Sequence, residues 1–345
     1  MQSHNNRAVI AAAGSGKTQH IIDCVLKDPT RRTLVTTYTN ENLRQLTERL
    51  AYSGGGVIPR LVTTMGWYTF LMNQCARPYQ SAVLSEAGIM RGLNFVGERP
   101  RFASKNNPKF YYLDSNKAVY RNEVAALAVE ANRLSGGKVV DRLAAMYDHI
   151  YIDEVQDMTG HDLELLDLLL ASPIATTLVG DPRQATTPTN NSSKNKKFKG
   201  GGIAAWLYKR ADMCVIDERV ESHRCNQAIC DFADSLYPDL PQTVSMNEGI
   251  TGHDGIFDIR PEEVSSYVER YAPVVLRHQK NSDTQGLDAM NFGVSKGSTF
   301  DRVLIFPTKP MTHYYHNRDP EKAGDLARLY VAVTRARYSV AFVIP

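Results

Sequence analysis

The sequence predicts an α/β fold in two domains, each built on a parallel β-sheet with helices on its faces. Short apolar runs alternate with segments of helical periodicity along almost the whole chain, which is typical of such folds. A chain of 345 residues is long enough for two or three domains with buried cores, and 43% of its residues are hydrophobic. A glycine-rich turn directly after the first apolar run adds a strand–loop–helix pattern.

The first half of the chain supplies the elements of the first domain. Apolar runs predict strands at 8–12, 33–37, 61–64, 149–152 and 174–179. Helical periodicity predicts helices near 17–27, 41–51, 66–75 and 161–170. From about 77 to 119 the sequence becomes rich in Pro, Asn, Gly and Arg, and a predicted helix at 117–134 follows. We interpret 77–137 as a small, mostly helical insertion in the first domain.

The alternation resumes after residue 202 and predicts a second α/β domain. Its predicted strands lie at 213–216, 256–259, 273–277, 301–306 and 338–344, and its helices near 226–236, 261–271 and 321–337. We therefore predict one domain at 1–212, which carries the insertion, and a second at 213–345.

Composition excludes several classes of protein. No apolar run approaches the roughly 20 residues that span a bilayer, so we expect no membrane partner. The five cysteines form no C-x-x-C pair, which favours reduced thiols in a cytoplasmic protein over a zinc site. The net charge is only +3, so any affinity for nucleic acid must come from local clusters of charge.

The segment AAAGSGKT at 11–18 nearly fits the phosphate-binding pattern G-x-x-x-x-G-K-[ST], with Ala11 at its first position. Between a strand and a helix, its backbone N–H groups would face a phosphate. Lys17 would reach the β- and γ-phosphates, and Thr18 would hold Mg²⁺. Taken alone, Gly-Lys-Thr leaves a chance match open. The predicted nucleotide contacts in this loop are Ala13, Gly14, Ser15, Gly16, Lys17 and Thr18.

A second motif, YIDEVQD at 151–157, directly follows a predicted strand. An Asp-Glu pair at a strand end can divide the work, with Asp153 reaching Mg²⁺ and Glu154 polarising the attacking water. The alternative is an acidic cluster that a helix dipole favours. Together with Lys17, the pair predicts a working nucleotide hydrolase site.

These motifs resemble, in order, those of the superfamily 1 helicases of the UvrD/Rep type, over nearly the whole chain. Alanine commonly begins the first motif in this family, which accounts for Ala11. The similar segments are AAAGSGKT (11–18, the first motif), TTYTNENLRQL (36–46, the strand-holding segment), YIDEVQD (151–157, the DEVQD box), LVGDPRQ (178–184, the third motif), ESHRC (221–225, the fourth), VSKGSTFDRVLIF (294–306, the fifth) and LYVAVTRAR (329–337, the sixth).

The resemblance implies two RecA-like domains with ATP and Mg²⁺ in the cleft between them. Arg224 and Arg335 would contact the γ-phosphate, although Arg335 also fits a cation at a helix C-terminus. Gln184 would link the γ-phosphate to the elements that hold nucleic acid. The implied activity is ATP-dependent 3′–5′ movement along single-stranded DNA, by a monomer in the cytoplasm of a bacterial or phage-infected cell.

The chain departs from this family at the positions that contact the base and the ribose. We expect no upstream glutamine motif to read adenine. Gln19 and His223 stand where the family often has an Arg and a Tyr that stack on the base. Lys296 and Gly297 lie in the fifth motif. The predicted nucleotide contacts therefore also include Gln19, His223, Lys296 and Gly297. About a dozen residues separate 277 from 290, which leaves no room for the extra domain of larger relatives.

Contacts with a nucleic-acid strand are predicted in three places. Segment 36–46 supplies Thr37, Tyr38, Thr39 and Asn40, and Thr64 and Trp67 follow the next predicted strand. A basic loop carries Lys194, Lys196, Lys197, Phe198 and Lys199. Segment 99–121 holds six basic residues, one acidic residue and several aromatic rings. Cations pair with phosphates and rings stack on bases, although a charged run is also compatible with a solvated loop.

Two other functions remain open on the residues alone. One is a compact viral-type superfamily 1 RNA helicase, against which the DEVQD box favours DNA. The other is a nucleotide-gated nucleic-acid-binding switch with little unwinding. The presence of Lys17, Glu154, Gln184 and Arg335 argues against an inactive hydrolase. Protein partners and the biological pathway are not indicated.

Overall fold

A computed structural model of the chain describes residues 5–85 and 89–344. Its contacts form two compact units. The first comprises the described residues of 1–9, 18–180 and 187–217, and the second those of 10–17, 181–186 and 218–345.

The compact units differ from the predicted domains at the phosphate-binding loop and at segment 181–186. Both segments group with the second unit, because long-range hydrogen bonds hold them there. The N–H of Ala13 donates to the Tyr330 hydroxyl at 3.3 Å, and Tyr237 donates to the carbonyl of Arg183 at 3.3 Å. The predicted domain limits, 1–212 and 213–345, stay predictions.

The first half of the chain forms a large sheet and a small parallel pair. The strands are β1 (Arg7–Ala11), β2 (Thr33–Thr37), β3 (Val62–Gly66), β4 (Gly92–Asn94), β5 (Ala118–Tyr120), β6 (His149–Ile152), β7 (Ala175–Gly180) and β8 (Val215–Arg219). The large sheet has the order β3-β2-β6-β7-β1-β8, and β3, β2, β6 and β7 pair in parallel. The carboxyl ends of β2, β3 and β6 therefore share one sheet edge. Tyr38 follows β2 there, Trp67 follows β3, and the acidic pair 153–154 follows β6.

Nine helices lie in this part of the described chain. They are α1 (Lys17–Lys27), α2 (Asn40–Ser53), α3 (Trp67–Thr69), α4 (Ser81–Leu84), α5 (Pro108–Tyr112), α6 (Val124–Leu134), α7 (Lys138–Met146), α8 (His161–Leu170) and α9 (Ile203–Tyr208). The helix predicted at 66–75 is a single turn continued by a π-helix, Phe70–Ala76. The helix predicted at 117–134 is wrong at its start, because 118–120 pairs with β4 as a strand.

The second unit is built on a five-stranded parallel sheet. Its further strands are β9 (Glu221–Ser222), β10 (Val244–Ser245), β11 (Gly255–Ile259), β12 (Val274–Arg277), β13 (Met290–Asn291), β14 (Phe300–Phe306) and β15 (Ala336–Val343). The sheet has the order β11-β15-β14-β12-β13, and β9 and β10 form a separate pair.

Helices cover both faces of this sheet. They are α10 (Gln227–Asp234), α11 (Val264–Tyr271), α12 (Lys309–Asn317) and α13 (Leu326–Val333). Val303 and Ile305 pack in the core with α10, α12 and α13, whereas Leu304 and Phe306 pack with α11 on the other face. This alternation is the period of two that a strand buried on both faces requires. The helix predicted at 321–337 is shorter, since β15 already begins at Ala336.

The described residues include no helix long and apolar enough to cross a bilayer. All five cysteines are free thiols.

Candidate nucleotide site and strand-binding surface

The phosphate-binding loop bends through two glycines between β1 and α1. Gly14 and Gly16 have φ angles of +80° and +76°, which residues with a side chain rarely adopt. A Cβ on Gly14 would lie 2.6 Å from the Ser222 Oγ and 2.7 Å from the Arg224 Cβ. Gly14 is therefore required both by its backbone conformation and by the close approach of segment 222–224.

The loop presents polar groups suited to an anion. The Ser15 Oγ is buried and has no hydrogen-bond partner among the described residues. Lys17 begins α1 and its ammonium donates to the Ala12 carbonyl at 3.4 Å, so the side chain folds back over the loop. The first turn of α1, which includes Thr18, carries no acidic residue to compete for its N–H groups. An unsatisfied hydroxyl in a cationic loop at a helix start fits a nucleotide phosphate.

Gln184 joins the third motif to the sixth inside the second unit. Its Nε2 donates to the Asp181 Oδ2 at 2.8 Å, and its Oε1 accepts from the Arg335 Nη2 at 3.4 Å. Arg335 is 1% exposed and also donates to the carbonyls of Val331 at 2.9 Å and Ser298 at 3.3 Å. The guanidinium is thus held by several fixed acceptors, and one of them, the Val331 carbonyl, lies in the last turn of α13, so Arg335 also fits the alternative of a cation at a helix end.

Arg224 is the second predicted arginine of the site. Its backbone lies against the loop, where the N–H of His223 donates to the Gly14 carbonyl at 3.0 Å. Its guanidinium donates to the Thr334 carbonyl at 3.0 Å and forms no ion pair among the described residues. Burial lowers the pKa of Arg224, as expected for a cation without a carboxylate beside it. A phosphate would supply the missing negative charge.

Sequence reasoning missed Tyr330, and it counted Arg183 among the cations of the basic loop rather than as a residue that connects these motifs. The fully buried Tyr330 hydroxyl accepts from Ala13, and its ring centre lies 5.9 Å from the Arg183 guanidinium carbon. Arg183 is 3% exposed and pairs with Asp181 at 3.7 Å and Asp234 at 3.8 Å. Both residues stand within quoted motifs, next to or near Gln184 and Arg335, so position within the motif was the available signal.

The acidic pair lies in the first unit, directly after β6. Asp153 is 4% exposed, and its carboxylate accepts the N–H of Glu154 at 2.9 Å. Glu154 adopts a left-handed conformation with φ +61°, which is rare outside glycine and recurs at functional sites. Asn42 donates to one Glu154 oxygen at 3.2 Å, and Gln156 donates to the other. Asn42, which sequence reasoning missed, therefore orients the predicted base.

A divalent metal ion at this site would need ligands from the nucleotide as well as from the protein. The described residues contain no group of three or more His, Cys, Asp and Glu side chains that could hold a metal ion. Mg²⁺ commonly takes one or two protein ligands together with phosphate oxygens and water. The hydroxyl of Thr18 and the carboxylate of Asp153 fit that donor set.

The residues predicted at the base and ribose have different surroundings. Gln19 donates to Asp23 at 2.7 Å and accepts from Arg49 at 2.8 Å, so its amide is already bonded within the first unit. The His223 side chain is exposed next to Gly14. Lys296 and Gly297 precede Ser298 in the loop that Arg335 holds, and their contact with nucleotide stays a prediction.

A pocket of about 290 Å³ lies at the carboxyl edge of the large sheet. The predicted strand contacts Tyr38, Thr39 and Asn40 line it. The rings of Tyr38 and Tyr68 are 5.8 Å apart, and Phe95 packs edge-on against Tyr68 at 5.4 Å. We call this the aromatic pocket, and rings at its mouth suit the stacking of bases.

Two further residues give the aromatic pocket its chemistry. Phe95 is 57% exposed, so its ring is accessible. Arg121 lines the pocket, and its buried Nε has no hydrogen-bond partner among the described residues. A ring beside a cation with an unsatisfied Nε–H fits a nucleotide unit of a strand. Both residues belong to the predicted insertion, whose composition of cations and aromatic rings was the available signal.

Two aromatic residues predicted to stack on bases are buried instead. Trp67 is 0% exposed, and its Nε1 donates to Asp162 at 2.9 Å, so its ring supports the aromatic pocket from within the core. Phe198 is 8% exposed and is covered by Lys197, whose ammonium lies 5.0 Å from the ring centre. The interpretation of these rings as stacking surfaces is wrong, because stacking on a base needs an accessible ring face and burial leaves neither ring one.

The other predicted strand contacts differ in accessibility. Thr37 is fully buried at the end of β2, so its side chain is not accessible for the predicted contact with a strand. Thr64 is partly exposed and bonds to Thr47 at 3.3 Å. Exposed side chains remain at all four predicted lysines, which are Lys194, Lys196, Lys197 and Lys199.

Two family models match the chain. One, described as the viral superfamily 1 RNA helicase core domain, matches residues 137–344, and one described as an AAA domain matches residues 1–189. Each covers more than half of the chain. The chain belongs to the viral superfamily 1 helicase core family. The predicted superfamily is therefore confirmed, whereas the matches favour the viral type over the UvrD/Rep type.

A solved structure of similar fold confirms the predicted fold class. The complex of arterivirus nonstructural protein 10, a helicase, with DNA has a TM-score of 0.50 and 17% identity, and the match covers 99% of this chain and 61% of that one. A crystal structure of arterivirus nonstructural protein 10 has a TM-score of 0.49 and 18% identity, with coverages of 99% and 60%. The chain thus spans about three fifths of these helicases. No curated protein matches it.

Proposed function

We propose that the chain is the motor of a viral-type superfamily 1 helicase, which couples nucleotide hydrolysis to movement along single-stranded nucleic acid. The observation that carries the proposal is the placement of Gln184, held by Asp181 and bonded to the buried Arg335. This hydrogen bond supports the proposal, because a guanidinium that contacts the γ-phosphate could pass its loss to Gln184 through it.

The chemistry follows from groups already described. Lys17 and the loop N–H groups bind the phosphates, and Glu154, oriented by Asn42, accepts a proton from the attacking water. Mg²⁺, when bound at Thr18 and Asp153, neutralises charge on the phosphates. Arg224 and Arg335 stabilise charge on the γ-phosphate in the transition state.

We propose RNA as the principal strand and single-stranded DNA as the second candidate. The matched family is named for an RNA helicase core, which supports RNA. The DEVQD box and a similar helicase solved with DNA support the second candidate. The 3′–5′ polarity rests on the UvrD resemblance alone, and duplexes with one 3′ or one 5′ tail would measure it. A monomer in the cytoplasm of a bacterial or phage-infected cell stays a prediction.

The function is tested by nucleotide turnover with and without nucleic acid. We expect single-stranded RNA or DNA to raise kcat by about tenfold or more, a barrier lower by ~1.4 kcal/mol. Blunt duplex should stimulate less. Lys17→Ala should abolish turnover, whereas Lys27→Ala at the exposed end of the same helix should not. Hydrolysis that no strand accelerates would instead favour a nucleotide-gated binding switch.

We also expect weak discrimination between bases. Gln19 is bonded to Asp23 and Arg49, and we expect His223 to stack on the base, a contact that tolerates every base. A site that makes no hydrogen bond to the adenine edge leaves nothing unsatisfied when another base enters. ATP, GTP and CTP should therefore have kcat/KM values within about tenfold, or ~1.4 kcal/mol. Parallel kinetics with four nucleotides check this, and a preference above about a hundredfold would contradict it.

A further inference from the structure

A second and larger cavity lies in the first unit, with a volume of about 910 Å³. It is formed by insertion segment 98–123, by the start of α8 and by segment 191–194. Its described lining includes four cations, which are Arg99, Arg101, Lys105 and Lys194, and two carboxylates, which are Glu98 and Glu123. We call this cavity the basin, and its excess of positive charge suits an anionic ligand.

Part of the positive charge is already paired and part is available. Arg99 bonds to Glu123 at 2.9 Å, and Lys194 bonds to Glu164 at 2.9 Å. Arg101 and Lys105 are exposed and form no ion pair with any described residue. These two cations are therefore free to neutralise phosphates.

The basin also contains a ring suited to a base. The Arg99 guanidinium carbon lies 4.2 Å from the centre of the Tyr111 ring, and the Lys105 ammonium lies 5.8 Å from it. Tyr111 is partly exposed. A ring flanked by two cations combines the stacking and phosphate contacts that single-stranded nucleic acid uses.

The basin adjoins the aromatic pocket. Arg121 lines the aromatic pocket and the next residue, Asn122, lines the basin. The Asn122 Oδ1 accepts the N–H of Asn191 at 3.2 Å, which ties the insertion to the loop after the third motif. That loop continues the connection, because Tyr68 of the aromatic pocket donates to the carbonyl of Thr189.

We propose that the basin binds the continuation of the nucleic-acid strand that enters the aromatic pocket. This proposal rests on the proposed function and deepens it, because it assigns the insertion a part in holding the strand. Arg101 and Lys105 neutralise its phosphates, and the Tyr111 ring stacks on a base. The strand then crosses the Asn122–Asn191 bridge, and the bound length exceeds what the aromatic pocket alone holds.

The test compares the Arg101→Ser/Lys105→Ser double variant with a control of equal charge. Lys27→Ser/Lys138→Ser is the control, since both lysines are exposed in the first unit and neither lines the basin. Binding of single-stranded RNA and DNA of about four and about twelve nucleotides is measured over a range of salt concentrations. For the longer strands, the log–log salt slope should fall by about 1.4, or ~0.7 for each phosphate that the variant no longer neutralises. The control should keep the parent slope.

The outcomes separate this proposal from the proposed function. If a strand stimulates the parent protein but the double variant keeps the salt slope and affinity of the control, the basin proposal alone is overturned. Equal reductions in affinity for four and twelve nucleotides also overturn it, because the short strand should occupy only the aromatic pocket. If the parent protein neither binds a strand nor hydrolyses nucleotide faster in its presence, the basin proposal and the proposed function are both overturned. Thermal midpoints equal to that of the parent show that the exposed substitutions leave folding intact.

Discussion

Glu154→Gln is expected to reduce the rate of nucleotide hydrolysis by about a thousandfold while nucleotide binding is retained. General bases contribute roughly a hundredfold to ten-thousandfold, and an amide cannot accept the proton of the attacking water. Because Glu154 is proposed to act on the attacking water, whereas Lys17 and the loop N–H groups bind the phosphates, its replacement should change kcat far more than affinity. Single-turnover hydrolysis and nucleotide titration measure the two effects separately.

The environment of Glu154 sets the cost of this substitution to stability. Asn42 and Gln156 each donate to one carboxylate oxygen, so the new amide nitrogen would face one donor. We expect a decrease of about 1 kcal/mol in the free energy of unfolding, which urea denaturation measures. Glu48→Gln, an exposed position on α2 with the same change of charge, is the control. Turnover within about threefold of the parent would exclude Glu154 as the base.

Arg335→Lys is expected to reduce kcat by about a thousandfold, equivalent to ~4 kcal/mol. The charge is kept, but an ammonium cannot reproduce the planar fork that bonds to Val331, Ser298 and Gln184 together. Arg337→Lys is the matched control, because Arg337 is half-exposed and its guanidinium pairs only at the surface with Asp301 at 3.3 Å. Steady-state kinetics of the two variants check the result.

A second substitution keeps this result interpretable if Arg335→Lys disturbs folding. Arg224→Lys removes the other predicted γ-phosphate contact, and among the described residues its guanidinium donates to the Thr334 carbonyl. It should lower kcat by a similar factor with a smaller change in thermal midpoint. If both variants hydrolyse nucleotide at near the parent rate, neither arginine acts on the γ-phosphate.

The sequence by itself determined the fold class and the ends of several elements. Period-two alternation and buried apolar runs predicted 33–37 and 149–152 as strands, and both are observed with these limits. Helical spacing did the same for 17–27 and 161–170. These signals are local, since side-chain direction repeats every two residues in a strand and about every 3.6 in a helix. The same local signals predicted which motifs come directly after a strand.

The insertion shows where local signals are insufficient. The helical period at 117–134 predicts one helix, but 118–120 pairs with 92–94, and α6 begins only at Val124. A strand partner about 25 residues away in sequence can override local propensity, because the pairing depends on tertiary packing.

Only the tertiary structure decided which side chains of the motifs are accessible. Trp67 and Phe198 carry the sequence signal of stacking residues, yet both are buried, whereas Phe95 is exposed at the aromatic pocket. An aromatic residue has the same local signature in a core and on a surface, because burial is set by residues far away in the chain.

The orientation of the predicted catalytic groups was decided in the same way. Asn42 reaches Glu154 across 112 positions of sequence, and Arg335 reaches Gln184 across 151. Tyr330 accepts from Ala13 across 317. Hydrogen bonds form only between groups brought within about 3.5 Å at a suitable angle, and that proximity arises when sheets and helices pack. The chemistry of each motif is therefore local in sequence, whereas its positioning belongs to the fold.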